Sequence, residues 1–197
     1  FFQIYYGDTH DLAADGSVQN TSNSGAGNPD QGVAVVRAKV ADVVAAAKQG
    51  KGVPWKKYYQ GSFSEPGIGG GKFSPLSIDP QGYMHGDAAF CAPLKQYVMV
   101  QQSGGRIQQT SAWRQAIILS FSKDGLAWSP WQTVVNISNL DFKGGQVTYP
   151  SLMALDGDDN EVLGSTFAVV FQLRAGNSSN PPFQFSMVNV TVSVSAK

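Results

Sequence analysis

Apolar and β-branched residues in this chain come in short runs of strand length, and the stretches between them are polar and rich in glycine. Residues 96–102 (QYVMVQQ) and 115–122 (QAIILSFS) are two such runs. The polar, glycine-bearing stretch 103–111 between them predicts a hairpin. Residues 1–7 (FFQIYYG) with 32–37 (GVAVVR), and 166–172 (TFAVVFQ) with 183–189 (FQFSMVN), repeat the order of strand, polar loop and strand. A further strand is expected at 85–92 (HGDAAFCA), another beginning at 149–155 (YPSLMAL), and an outer strand at 55–59 (WKKYY). One helix is expected, over 40–49 (VADVVAAAKQ), where three alanines favour helical backbone and Gly50 is placed to end it. The glycine-, serine- and asparagine-rich stretch 8–31 predicts an exposed excursion, and 61–71 a glycine-rich loop.

Self-similarity of this kind, at a period of roughly 60 to 95 residues and stretched by insertions, predicts stacked β-sheet units rather than a helical fold. The expected fold is all-β: about three four-stranded antiparallel blades of a β-propeller, occupying residues 1–72, 73–140 and 141–197 of a single domain. The innermost strand of a blade lines the central channel, so His85, Asp87 and Tyr149, at the entries of two such strands, are expected to face whatever binds on the axis. After the run 115–122 comes Ser122-Lys123-Asp124-Gly125-Leu126-Ala127-Trp128. Glycine accepts positive φ, the Asp carboxylate can take nearby backbone N–H groups, and Trp128 can fold back, so this is first a staple for a tight turn.

Charge narrows the partners. With 14 basic and 14 acidic residues the net charge is zero, which removes the electrostatic footprint of a nucleic-acid binder and favours an uncharged ligand such as a sugar. No apolar run approaches the roughly 18 residues of a membrane span, and a soluble or secreted, extracellular protein is expected. Cys91 is the only cysteine, so no internal disulfide forms, and its apolar setting predicts a buried thiol. Glycosylation sequons begin at Asn20, Asn136, Asn177 and Asn189. The acidic stretch 156–161 (DGDDNE) has the composition of a calcium loop without EF-hand spacing, and a solvated turn is the stronger expectation; no cofactor is otherwise implied. Because residues 1–6 already read as a buried strand, an upstream segment or a partner chain is expected to complete the propeller.

Taken in order, SFSEPGIGG, HGDAAFCAPLKQYVMV, AIILSFSKDGLAW, YPSLMALDG and FAVVFQLR resemble the five-bladed propeller glycoside hydrolases related to arabinanases and β-xylosidases, and SKDGLAW resembles the Asp-box of sialidases one residue short. The resemblance implies carboxylates grouped at one mouth of the channel, an acid protonating the leaving oxygen and a base activating water. Only two glutamates exist, Glu65 and Glu161. Glu65, in an aromatic and glycine-rich stretch, is the candidate acid, with capping of backbone amides as its alternative role. Asp87 is the candidate base or a tuner of the acid, with a hydrogen bond to serine or backbone as its alternative. His85, Tyr149, Trp113, Arg114, Arg174 and Asp8 are candidate sugar contacts, aromatic rings for stacking and polar groups for hydroxyls. A glycan- or protein-binding propeller module without hydrolysis, or a structural subunit of an assembly, is the competing class.

Overall fold

The computed structural model describes residues 1–9, 31–67, 71–76, 86–106, 113–137, 146–156, 161–174 and 183–193. The described chain is mostly β, with one short helix and three sheets. Two compact units are distinguished, Phe1–Leu76 and Ser77–Lys197.

The first unit holds a four-stranded antiparallel sheet in chain order: β1 (Phe2–Thr9), β2 (Gln31–Ala38), β3 (Lys56–Tyr59) and β4 (Ser62–Pro66). The helix α1 (Val40–Lys48) joins β2 to β3 and buries none of its residues. Its stability is therefore local, from alanine propensity and from Asp42 and Lys48 set at the ends that suit the helix dipole. The β1–β2 pairing continues to Asp8↔Gly32 and Thr9↔Gln31, two residues beyond the run read from sequence, while residues 10–30 of the expected excursion lie outside the described residues. The stretch beginning at Gly61 is a strand rather than a loop. Gln60 and Gly61 both have positive φ, 45° and 87°, and link Tyr59 to its partner Ser62, which is the two-residue hairpin geometry whose twist matches antiparallel strands. Pro66 ends the strand on the sheet edge, where a missing N–H costs nothing.

The second unit holds the other two sheets. Strands β5 (Gly86–Cys91), β6 (Gln96–Arg106), β7 (Trp113–Ser122) and β8 (Gln132–Asn136) follow one another antiparallel. The two-residue β10 (Val162–Leu163) adds a fifth strand beside β5, parallel to it, with Phe90 and Ala92 donating their N–H groups to the carbonyls of Glu161 and Leu163 at 2.9 and 3.1 Å. The third sheet is β9 (Gln146–Ala154), β11 (Thr166–Arg174) and β12 (Phe183–Thr191), with β11 in the middle. All three hairpins expected from the runs of apolar residues are present as antiparallel pairs. The first sheet has the expected four strands, whereas among the described residues the other two have five and three.

The second unit's core lies between its two sheets. Val98, Val100, Ile117 and Leu119 from β6 and β7 pack with Val147, Leu152, Phe167 and Val169 from β9 and β11. The opposite face of β6 and β7, carrying Met99, Gln101, Ile118 and Ser120, is buried as well. Burial on both faces is why these two strands read as nearly continuous apolar runs rather than alternating ones. Cys91 is fully buried, and its Sγ lies 3.5 Å from the carbonyl oxygen of Gly164.

Candidate functional site

Asp87 enters at the start of β5, directly after Gly86. Gly86 has no room for a side chain, since a Cβ there would meet the carbonyl oxygen of Val100 on the adjacent strand, so β5 and β6 approach closely where the candidate site begins. Both oxygens of the Asp87 carboxylate accept hydrogen bonds. Its Oδ1 accepts the N–H of Ala88 at 2.8 Å; its Oδ2 accepts the Ser151 hydroxyl at 2.8 Å and the Leu152 N–H at 3.0 Å. The hydrogen-bonding role to serine and backbone is thus the one observed, and it ties β5 of one sheet to β9 of the other.

Just before that attachment β9 carries a bulge. Thr148 pairs with Gln172 and Ser151 with Val170, so Tyr149 and Pro150 together oppose Phe171. Tyr149 sits at φ 51°, in the left-handed region, although it is neither glycine nor asparagine and precedes a proline, which favours extended backbone. Such a residue stores on the order of 1–3 kcal/mol of strain, held only where its surroundings over-determine it. Pro150 is buried while Tyr149 is 62% exposed. A bulky aromatic ring is thereby turned outward beside the Asp87 attachment.

Glu65 lies on β4 of the first unit, opposite Lys57 of β3, and its Oε2 accepts the Lys72 N–H at 3.2 Å. That is the amide-capping arrangement. In the same sheet, the Arg37 guanidinium lies over the rings of Phe1 and Phe63, 4.5 and 3.9 Å from their centroids, and the buried Lys57 donates to the Gly71 carbonyl at 2.9 Å. Arg37 and Lys57 carried no distinguishing signal in the sequence, since each sits in a run that also reads as plain strand.

The remaining candidates divide by position. His85 lies outside the described residues, as do residues 157–160 of the acidic stretch. Asp8 pairs with Gly32 near the end of β1; Trp113 and Arg114 open β7 opposite Arg106 and Gly105; Arg174 ends β11 opposite Gln146 and Phe183. The structure brings Asp87 and Tyr149 to one neighbourhood of the second unit; Glu65 belongs to the first. Among the described residues no group of three His, Cys, Asp or Glu side chains is gathered closely enough to hold a metal ion, and no helix is long and apolar enough to cross a membrane.

The staple after β7 has the geometry its sequence implies. Ser122 Oγ accepts the N–H groups of Asp124 and Gly125 at 3.3 and 2.8 Å and donates to Asp124 Oδ1 at 3.0 Å. The same Oδ1 accepts the N–H groups of Leu126 and Ala127 at 2.8 and 2.9 Å. These backbone donors, Ala127 first and Leu126 second, hold the Asp124 carboxyl below the ordinary carboxylate range. Gly125 supplies φ 74°, and Trp128 bridges back to Ser122.

No family model, no curated protein and no solved structure matches this chain.

Proposed function

We propose that the three sheets are blades of a five-bladed β-propeller of the glycoside hydrolase kind, and that the neighbourhood of Asp87 and Tyr149 binds neutral carbohydrate. Three features support the blade reading. Strands β1 to β4 and β5 to β8 succeed one another antiparallel in chain order; the Asp124 staple joins the last two strands of its sheet; and Asp87 bonds the first strand of one sheet to the first strand of the next. The single observation that carries the ligand reading is Tyr149, a strained and outward-turned ring at a bulge. Bulges that re-aim a side chain cluster at binding sites, and an exposed aromatic face suits the apolar face of a sugar ring. Zero net charge favours an uncharged glycan over a charged one.

Asp87 serves here as a holder, since its Oδ2 already accepts both the Ser151 hydroxyl and the Leu152 N–H. Hydrolysis is the second reading, favoured by Glu65, a half-buried carboxyl that commits only one oxygen to the Lys72 amide. Titration calorimetry with neutral oligosaccharides, and with uronate oligomers as the charged control, tests the first reading. Tyr149→Ala is expected to weaken neutral-glycan binding by about tenfold, which is ~1.4 kcal/mol, with the melting temperature kept. Binding that prefers the uronates, or is indifferent to Tyr149→Ala, removes it. Glu65→Gln abolishing turnover of a glycan that it still binds would establish the second.

A further inference from the structure

We infer that Asp87 is a positioning residue: its carboxylate clasps β9 and fixes the bulge that turns Tyr149 outward. The inference rests on the carbohydrate reading only for what the Tyr149 ring meets, not for how the ring is held. A tyrosine at φ 51° immediately before a proline does not keep that conformation unaided. On one side of the bulge, Thr148 Oγ1 donates to Gln172 Oε1 at 3.1 Å across the β9–β11 pair. On the other, Asp87 takes Ser151 Oγ and Leu152 N–H, 64 and 65 residues away in the chain. Between those pins lie only Tyr149 and the buried Pro150, two residues in the space that one residue, Phe171, occupies on the partner strand. The extra residue can be neither drawn into register nor extended while both pins hold.

The carboxylate suits the task better than a neutral side chain. Oδ1 is fixed to β5 by the Ala88 N–H, so the plane of the group is set and Oδ2 points at β9. Both groups that reach Oδ2 from β9 are donors, as is the Ala88 N–H at Oδ1, and a carboxylate is acceptor-only, whereas an amide at this position would set its NH2 against either the two β9 donors or the Ala88 N–H. One residue therefore couples the entry of β5 to the attitude of a side chain on a different sheet. Its role is to aim, with no contact to the ligand required.

The test compares Asp87→Asn, Ser151→Ala and Tyr149→Ala in the full chain. By NMR, Asp87→Asn is expected to move the Tyr149 Cα and Cβ shifts from left-handed toward extended values. It is also expected to speed amide exchange at Leu152 by about tenfold or more. Ser151→Ala, which removes one of the two bonds from β9, is expected to fall between it and the unaltered protein, and it decides the matter if Asp87→Asn does not fold. For a neutral oligosaccharide that the unaltered protein binds, Asp87→Asn is expected to lose about tenfold in affinity, and to lose nothing further once Tyr149→Ala is present. A side chain that merely supports the fold would give additive losses. Unchanged Tyr149 shifts and Leu152 exchange in both Asp87→Asn and Ser151→Ala, or additive losses in the double variant, overturn the inference. Full-affinity binding by Tyr149→Ala sinks the carbohydrate reading alone, and the shifts and exchange rates then judge the clasp by themselves.

Discussion

Asp124 and Asp87 do the same chemistry over very different spans. Each carboxylate accepts three hydrogen bonds, one from a serine hydroxyl and two from backbone N–H groups. Asp124 draws all of them from residues within three positions of itself and so closes a turn that the chain nearly makes unaided. Asp87 reaches 64 and 65 residues along the chain for two of its three, and joins strands of separate sheets. A local bond stabilises a conformation that is cheap to reach, while a distant one holds together surfaces that drift apart as soon as it goes. Equal bond counts therefore do not imply equal consequences.

The largest effect is expected at the distant site. Asp87→Ala leaves the Leu152 N–H without an acceptor at the packed junction of two sheets and removes hydrogen bonds to a charged group, so urea denaturation should show a loss of about 3 kcal/mol. A loss no greater than that of Asp124→Ala would break the comparison. At the turn, where the residue is exposed, Asp124→Ala should cost only about 1–2 kcal/mol at neutral pH.

That smaller effect carries a pH signature. The folded Asp124 carboxyl is held below its ordinary value of 3.8, so its contribution is present above that value and is lost as pH falls through the folded one. The denaturation curves of Asp124→Ala and the unaltered protein should accordingly draw together on acidification below 3.8, and a gap that persists in acid would show that the turn is held by something other than the ionised carboxylate.

The smallest effect has the opposite sign. Gln101 is 1% exposed, and among the described residues neither polar atom of its amide has a hydrogen-bond partner. It shows what a buried polar group costs when no partner is recruited. Replacing it by the similarly shaped Met should raise stability by about 1 kcal/mol in the same assay, and a loss of stability would mean that the amide is engaged after all.

The same contrast explains how much could be read in advance. The three hairpins were legible because β-branched and aromatic runs flank polar loops, and the Ser122–Trp128 turn because every partner in it lies within a few residues. The identity of Ser151 and Leu152 as partners of Asp87 was not, since nothing in one stretch of sequence names an atom sixty-odd residues away. β4 was hidden by composition: SFSEP mixes a proline and a glutamate with little apolar alternation, and Gln60-Gly61 is a less familiar hairpin pair than Asn-Gly. Tyr149 was expected at a strand entry, whereas β9 begins earlier, at Gln146; Pro150 fits a bulge, but the bulge itself depends on register with β11.

β10 bears on the order in which the molecule can be built. Val162 and Leu163 lie beside Phe90 and Cys91, so one flank of β5 has its neighbour only after the intervening segments have been made. On a ribosome, the antiparallel strands β5 to β8 can pair as they emerge, yet the N–H groups of Phe90 and Ala92 must wait for the carbonyls of Glu161 and Leu163. The second unit is therefore a late-closing structure, in which a strand of two residues supplies the final hydrogen bonds to a sheet begun much earlier in synthesis.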